Sequence, residues 1–140
     1  MSIEAPGNIQ AMHRTAWILS GMVIAFMIVD AGGTLLGIEP IKKATLETGY
    51  PLDLLWLIGA LQLLCLVLYA IPATSVSGAI VLTGFLGGAI TSNLRVAGTL
   101  TPEMIVSLLV GVLAWGGLWF RDPRLRVLIP RRRDAVQRIG

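Results

Sequence analysis

The sequence predicts an all-α polytopic membrane protein, a four-transmembrane-helix bundle with both termini cytoplasmic. Three observations carry this expectation. Of the 140 residues, 55% are hydrophobic and 14% are charged, and the mean hydropathy is +0.79. Soluble chains carry about 25% charged residues, so a globule of this size lacks the polar groups to cover itself. Four apolar runs approach the roughly 20 residues that a helix needs to cross a bilayer core of about 30 Å. None of them shows the period-two alternation of barrel strands. The third observation is the placement of the charges, which sets the orientation.

The runs cover residues 16–38, 52–71, 76–96 and 104–120. They divide the chain into a cytoplasmic N-terminal segment (1–15), the transmembrane bundle (16–120) and a basic cytoplasmic tail (121–140). Between the first two runs, Glu39 to Glu47 fits one or two amphipathic turns, with Lys43 and Glu47 four apart on one face. Gly49 suits the end of that piece, and Pro51 suits the first turn of span two, where a missing N–H costs nothing. Pro72-Ala73-Thr74-Ser75 is so short a link that spans two and three must be antiparallel neighbours. Thr101, ahead of Pro102, is placed to cap span four.

Arg14 and the seven arginines after Phe120 make eight basic residues on the side of the termini. Lys42, Lys43 and Arg95 make three on the other side. Short loops rich in Lys and Arg stay in the cytoplasm, so this imbalance places both ends there, in a bacterial-type inner membrane. Cleavage of a signal peptide near Val29-Asp30-Ala31 would leave three spans; the apolar run continues past that point to full bilayer length, which favours four. The basic tail, with Arg131, Arg132 and Arg133 together, reads as a ligand for anionic lipid headgroups and not for nucleic acid.

Small residues four apart recur in the spans: Gly33 and Gly37, Gly84 and Gly88, Ser107 and Gly111. Such pairs let helices approach closely in lipid, and tight packing is the reading they favour. The informative polar residues are Asp30, Gln62, Asn93 and Arg95. Asp30 lies roughly 21 Å into span one at 1.5 Å per residue, where an acid is costly unless protonated, paired or wetted. Antiparallel spans gather the four residues in the outer half of the bundle. Gly59, Gln62, Leu66 and Tyr69 share a helical stripe that turns Gln62 inward. Two readings stay open: a structural clasp in which Arg95 compensates Asp30, and a polar pocket around Asp30 that binds or transports a small ligand. Cys65 reads as a buried small hydrophobe and His13 as an interfacial residue, and neither has the partners a redox pair or a metal site requires. No nucleophile triad, phosphate loop or dinucleotide fingerprint is present in the sequence.

The second half carries a distinctive combination of apolar, glycine-rich segments. Gly49-Tyr50-Pro51 leads into Gly59-Ala60-Leu61-Gln62-Leu63-Leu64-Cys65, followed by Leu68-Tyr69-Ala70-Ile71-Pro72 and by the glycine-rich stretch from Gly78 to Ala89. It closes on Leu118-Trp119-Phe120-Arg121-Asp122-Pro123-Arg124-Leu125-Arg126. From about Thr15 to Pro130 the chain resembles the DoxX-like family of small four-helix membrane proteins; the first half matches mainly through Phe26 and Asp30. The resemblance implies an accessory or anchoring subunit associated with quinone-linked redox systems, with quinone as the implied cofactor. No metal is expected, because Cys65 and His13 are the single residues of their types, and a protein partner or a second copy is expected as company. An intrinsic quinone-dependent oxidoreductase is the further alternative. The family pattern often has Glu at the position of Gln62 and His at that of Asn93. Both are neutral amides here, which removes two proton-carrying groups and leaves Asp30 as the acid deep in the bundle.

Overall fold

The computed structural model describes residues 6–122 and Leu125. Arg131, Arg132, Arg133 and the rest of the basic tail beyond Leu125 lie outside the described residues. The described chain is helical throughout: α1 (Pro6–Leu36), α2 (Glu39–Glu47), α3 (Leu55–Ala70), α4 (Ser75–Ala97) and α5 (Pro102–Arg121), with a 3₁₀ turn at Leu52–Leu54 leading into α3. Four of these elements are long and apolar enough to cross a membrane, namely His13–Leu36, Leu52–Ala70, Ser75–Ala97 and Pro102–Arg121.

Helix α1 begins ten residues before the apolar run does. The run marks only the part matched to the bilayer, whereas a helix continues until something stops it. Pro6 opens α1, a place where the missing N–H is harmless. At its far end Gly37 adopts φ +58°, its N–H bonds to Thr34 O, and Ile38 N–H reaches back to Gly33 O. The same pair of bonds closes α2: Gly49 has φ +82°, with Gly49 N–H on Leu46 O and Tyr50 N–H on Thr45 O. These are left-handed helix stops that favour glycine. Gly37 therefore terminates α1 and is not half of a packing pair. The amphipathic piece between the first two spans is α2, and Lys43 and Glu47 meet there at 3.8 Å. Thr101 does take the N-cap position of α5 with an extended backbone, but its hydroxyl makes no capping bond.

The four long helices run up, down, up and down, and each packs on two neighbours in the ring α1–α3–α4–α5. Facing residues fix the antiparallel register: Leu35 against Gly59 and Ser20 against Gly117 on the two flanks of α1, and Leu86 against Gly111 between α4 and α5. The axis of the bundle is filled by Val23, Met27, Cys65, Leu66, Tyr69, Ala79, Leu82, Leu86, Val110, Ala114 and Leu118. Large apolar side chains such as Ile18, Val29, Trp56, Ile80, Leu108 and Val112 point outward, as a lipid-facing surface requires. Hydroxyls within the spans satisfy themselves on the carbonyl four residues back, as Thr34 does on Asp30 O, Thr83 on Ala79 O and Thr91 on Gly87 O. This back-bonding keeps those hydroxyl hydrogens paired within hydrocarbon.

The closest backbone approaches between the long helices are not at the glycine pair of α4. A Cβ on Gly78 would lie 2.6 Å from Tyr69 Cα, and one on Gly117 would lie 3.0 Å from Ser20 N. A Cβ on Gly84 or Gly88 would meet nothing within 4 Å. The repeat in α4 thus opens a space instead of closing one. Gly78→Ala, which pushes α4 off the end of α3, is expected to lower stability by about 1–3 kcal/mol. Gly84→Ala is expected to be neutral or to stabilise by up to about 1 kcal/mol through helix propensity. Thermal unfolding of both variants in one detergent tests the contrast, and equal midpoints would refute the close approach at Gly78.

Candidate functional site

Asp30 and Gln62 meet on the seam between α1 and α3. Gln62 Nε2 donates to Asp30 Oδ2 at 2.5 Å. The inward stripe on α3 is as the sequence predicts, since Gly59, Gln62, Leu66 and Tyr69 are all buried. Asp30 is only half-buried, and Gln62 is 4% exposed. Gln62 Oε1 has no donor among the described residues, an omission that ordinarily costs about 1–3 kcal/mol.

Arg95 is elsewhere. Its Nη2 donates to Thr48 O at 3.2 Å, so its charge sits on the carbonyl end of α2, where cations are favoured. Lys42 pairs with Glu39 and Lys43 with Glu47, and an Asp30–Arg95 clasp is not formed. The ring order explains this: α1 and α4 occupy opposite corners and do not pack extensively on each other. Asn93 turns its Nδ2 to Ala89 O within α4. The structure therefore joins Asp30 to Gln62 and leaves Asn93 and Arg95 on a different seam.

That second seam holds a cavity. Between α3 and α4, beneath α2, a groove of about 420 Å³ is lined by Asn93 and Ser92, by Thr45, Thr48 and Tyr50, and by an apolar wall from both helices. Neither Asp30 nor Gln62 lines it. Tyr50 and Ser92 hydroxyls are 2.9 Å apart across its polar end. Another groove of about 420 Å³ lies between α4 and α5, lined almost wholly by apolar groups including Leu86, Ile90 and Leu108.

At the opposite end of the bundle is a cluster that the sequence does not announce. Tyr69 is fully buried, its hydroxyl donates to Ala114 O at 3.0 Å, and Ser20 Oγ lies 3.4 Å away. Arg121 Nη2 donates to Tyr69 O at 3.0 Å, and its guanidinium lies 5.7 Å from the centre of the Trp17 ring and 5.5 Å from that of Tyr69. In the sequence Tyr69 falls on the inward stripe of α3, Trp17 stands near the start of span one and Arg121 is the first arginine of the tail. Their meeting depends on small residues, Ser20 and Gly117, which face each other across α1 and α5. Among the described residues no group of three or more His, Cys, Asp or Glu is placed to hold a metal ion.

Double-mutant cycles separate the two seams. Asp30→Asn with Gln62→Leu is expected to couple by about 0.5–3 kcal/mol in thermal stability, whereas Asp30→Asn with Arg95→Gln is expected to be additive within about 0.5 kcal/mol. Strong coupling of Asp30 to Arg95 would contradict the arrangement of the four helices.

Neither the curated proteins nor the solved structures compared with this chain include a match. A family comparison does succeed: the DoxX-like family profile covers residues 18–117. The matched stretch runs from the first turns of the transmembrane part of α1 to Gly117 in α5, so it takes in all of α3 and α4, most of α5, the membrane part of α1, the Asp30–Gln62 pair and the α3–α4 groove. The chain belongs to the DoxX-like family.

Proposed function

We propose that this DoxX-like protein is an accessory or anchoring subunit of the inner membrane, associated with quinone-linked redox systems. The observation that carries this reading is how the bundle uses the polar groups along its spans. Asp30 is bonded to Gln62, Tyr69 to Ala114 O, and Trp115 Nε1 donates to Thr83 Oγ1 at 2.9 Å. Each bond joins one helix to another, and interhelical bonds in lipid serve assembly. Such a use of polar groups suits a protein that holds a position for a partner. The broad apolar outer faces of α1, α3 and α5 provide surface for lipid or for another membrane subunit.

Both termini lie in the cytoplasm in this proposal, with Arg131, Arg132 and Arg133 on anionic headgroups, where each basic group contributes about 1 kcal/mol. A reporter active only outside the cytoplasm is expected to be silent after Gly140 and active when inserted at Thr99, in the exposed link between α4 and α5. The reverse pattern would overturn the orientation. Replacing the three arginines by Gln is expected to leave the melting midpoint unchanged and to reduce the anionic lipid that co-purifies.

The subunit reading is tested by isolating tagged full-length protein in mild detergent. Recovery of a membrane oxidoreductase in stoichiometric amount supports it. Quinone reduction by the isolated chain, with a donor and without a partner, would favour the intrinsic oxidoreductase instead. Loss of function in Asp30→Asn with an unchanged melting midpoint would favour a ligand site at Asp30.

A further inference from the structure

The α3–α4 groove has the layout of a binding site for an uncharged amphiphile, and we propose that it takes a membrane-soluble molecule with an oxygen-bearing neutral head and an apolar tail. This goes beyond the subunit reading and does not depend on it. The volume of about 420 Å³ falls in the usual range of ligand pockets, roughly 300–1,000 Å³. Its long wall is hydrocarbon: Leu57, Ile58 and Leu61 from α3 and Phe85 and Ala89 from α4. Its floor is made by Gly84 and Gly88, above which there is open space.

The polar end determines the class of head. The Ser92 hydroxyl donates to its own Gly88 O at 2.9 Å, so the proton in the 2.9 Å Tyr50–Ser92 contact belongs to Tyr50. Thr45 and Thr48 likewise donate to carbonyls of α2. These hydroxyls keep acceptor capacity but no hydrogen to give. Asn93 differs, because Nδ2 uses one hydrogen on Ala89 O and retains a second, and the amide oxygen makes no bond within the described protein. One donor therefore remains at the head of the groove, the second Nδ2 hydrogen of Asn93, with its amide oxygen and the neighbouring hydroxyl oxygens as acceptors. Among the described residues no Asp, Glu, Lys or Arg lines it, and the neighbouring Arg95 is engaged on Thr48 O. A formally charged headgroup would meet no charged side chain in that lining, whereas a ketone, ester or hydroxyl is matched by the Asn93 amide. The α4–α5 groove has the same volume without this polar end and serves as an internal control.

Two sources supply such a head, a ring ketone on a prenyl-type chain and the ester or hydroxyl of a neutral glycerolipid. Titration of the purified full-length protein in detergent, followed by native mass spectrometry, distinguishes them with decylubiquinone and dioleoylglycerol as probes and dioleoylphosphatidylglycerol as the anionic comparator. One neutral probe is expected to bind at least about tenfold more tightly than the anionic lipid, a difference of about 1.4 kcal/mol. Gly88→Leu fills the groove from an open position and is expected to weaken that probe at least about tenfold. Asn93→Leu is expected to weaken it about two- to tenfold, the span of one neutral hydrogen bond. Gly87→Leu, which faces the α4–α5 groove, is expected to leave binding within about twofold of the parent. Melting midpoints of each variant confirm folding, and Gly84→Leu replaces Gly88→Leu if the latter fails to fold. Equal binding of all three lipids, unchanged binding in both Gly88→Leu and Asn93→Leu, or equal weakening in Gly87→Leu would each overturn the proposal.

Discussion

The bundle depends on the close approach of α4 to the end of α3 at Gly78. Lipid gives helices no hydrophobic reason to associate, so packing contacts and internal hydrogen bonds must hold them together. Gly78 lets the α4 backbone rest on the backbone of Leu68 and Tyr69. With that contact made, the buried Tyr69 side chain reaches across the interior to Ala114 O on α5, close to Ser20 on α1. All four long helices meet around this one ring. Arg121 then covers the same end by binding the Tyr69 carbonyl and lying against Trp17 and Tyr69.

The other end is built differently. There α2 and the turn after it occupy the gap between α3 and α4, tied down by Tyr50 to Ser92 and by Arg95 to Thr48 O. The helices stand far enough apart for a groove because Gly84 and Gly88 present no side chain toward it. Helix α3 separates two environments: its Gln62 face joins α1 through Asp30, while Leu57 and Leu61 line the groove with α4. The acid and the cavity are therefore on different seams, and a chemistry that needs both would have to act across α3.

Much of this was legible along the chain. Apolar runs of bilayer length, the four-residue link at Pro72 and the helix stop at Gly49 follow from local rules of length, turn chemistry and left-handed backbone, which need no knowledge of neighbours; Gly37, which reads along the chain as half of a packing pair, is a stop of the same kind. The burial of Gln62 followed from helical periodicity alone, because Gly59, Leu66 and Tyr69 share its face. The start of α1 at Pro6 was not legible from hydropathy, since polar residues such as Gln10 and Arg14 continue a helix as readily as apolar ones.

What the sequence by itself determined was the set of membrane-length helices, their antiparallel succession and the inward face of α3. Those properties arise within a helix or across one short link. The tertiary structure alone decided which polar groups meet. Depth in the membrane put Asp30, Gln62, Asn93 and Arg95 at a similar level, but partners are chosen by the order of helices around the ring. That order puts α1 beside α3 and opposite α4, so Asp30 finds Gln62, and Arg95 finds the end of α2. Spacing four apart identified Gly84 and Gly88, yet whether such glycines close a contact or open a groove depends on what the facing helix presents, and that is set only when the bundle is assembled.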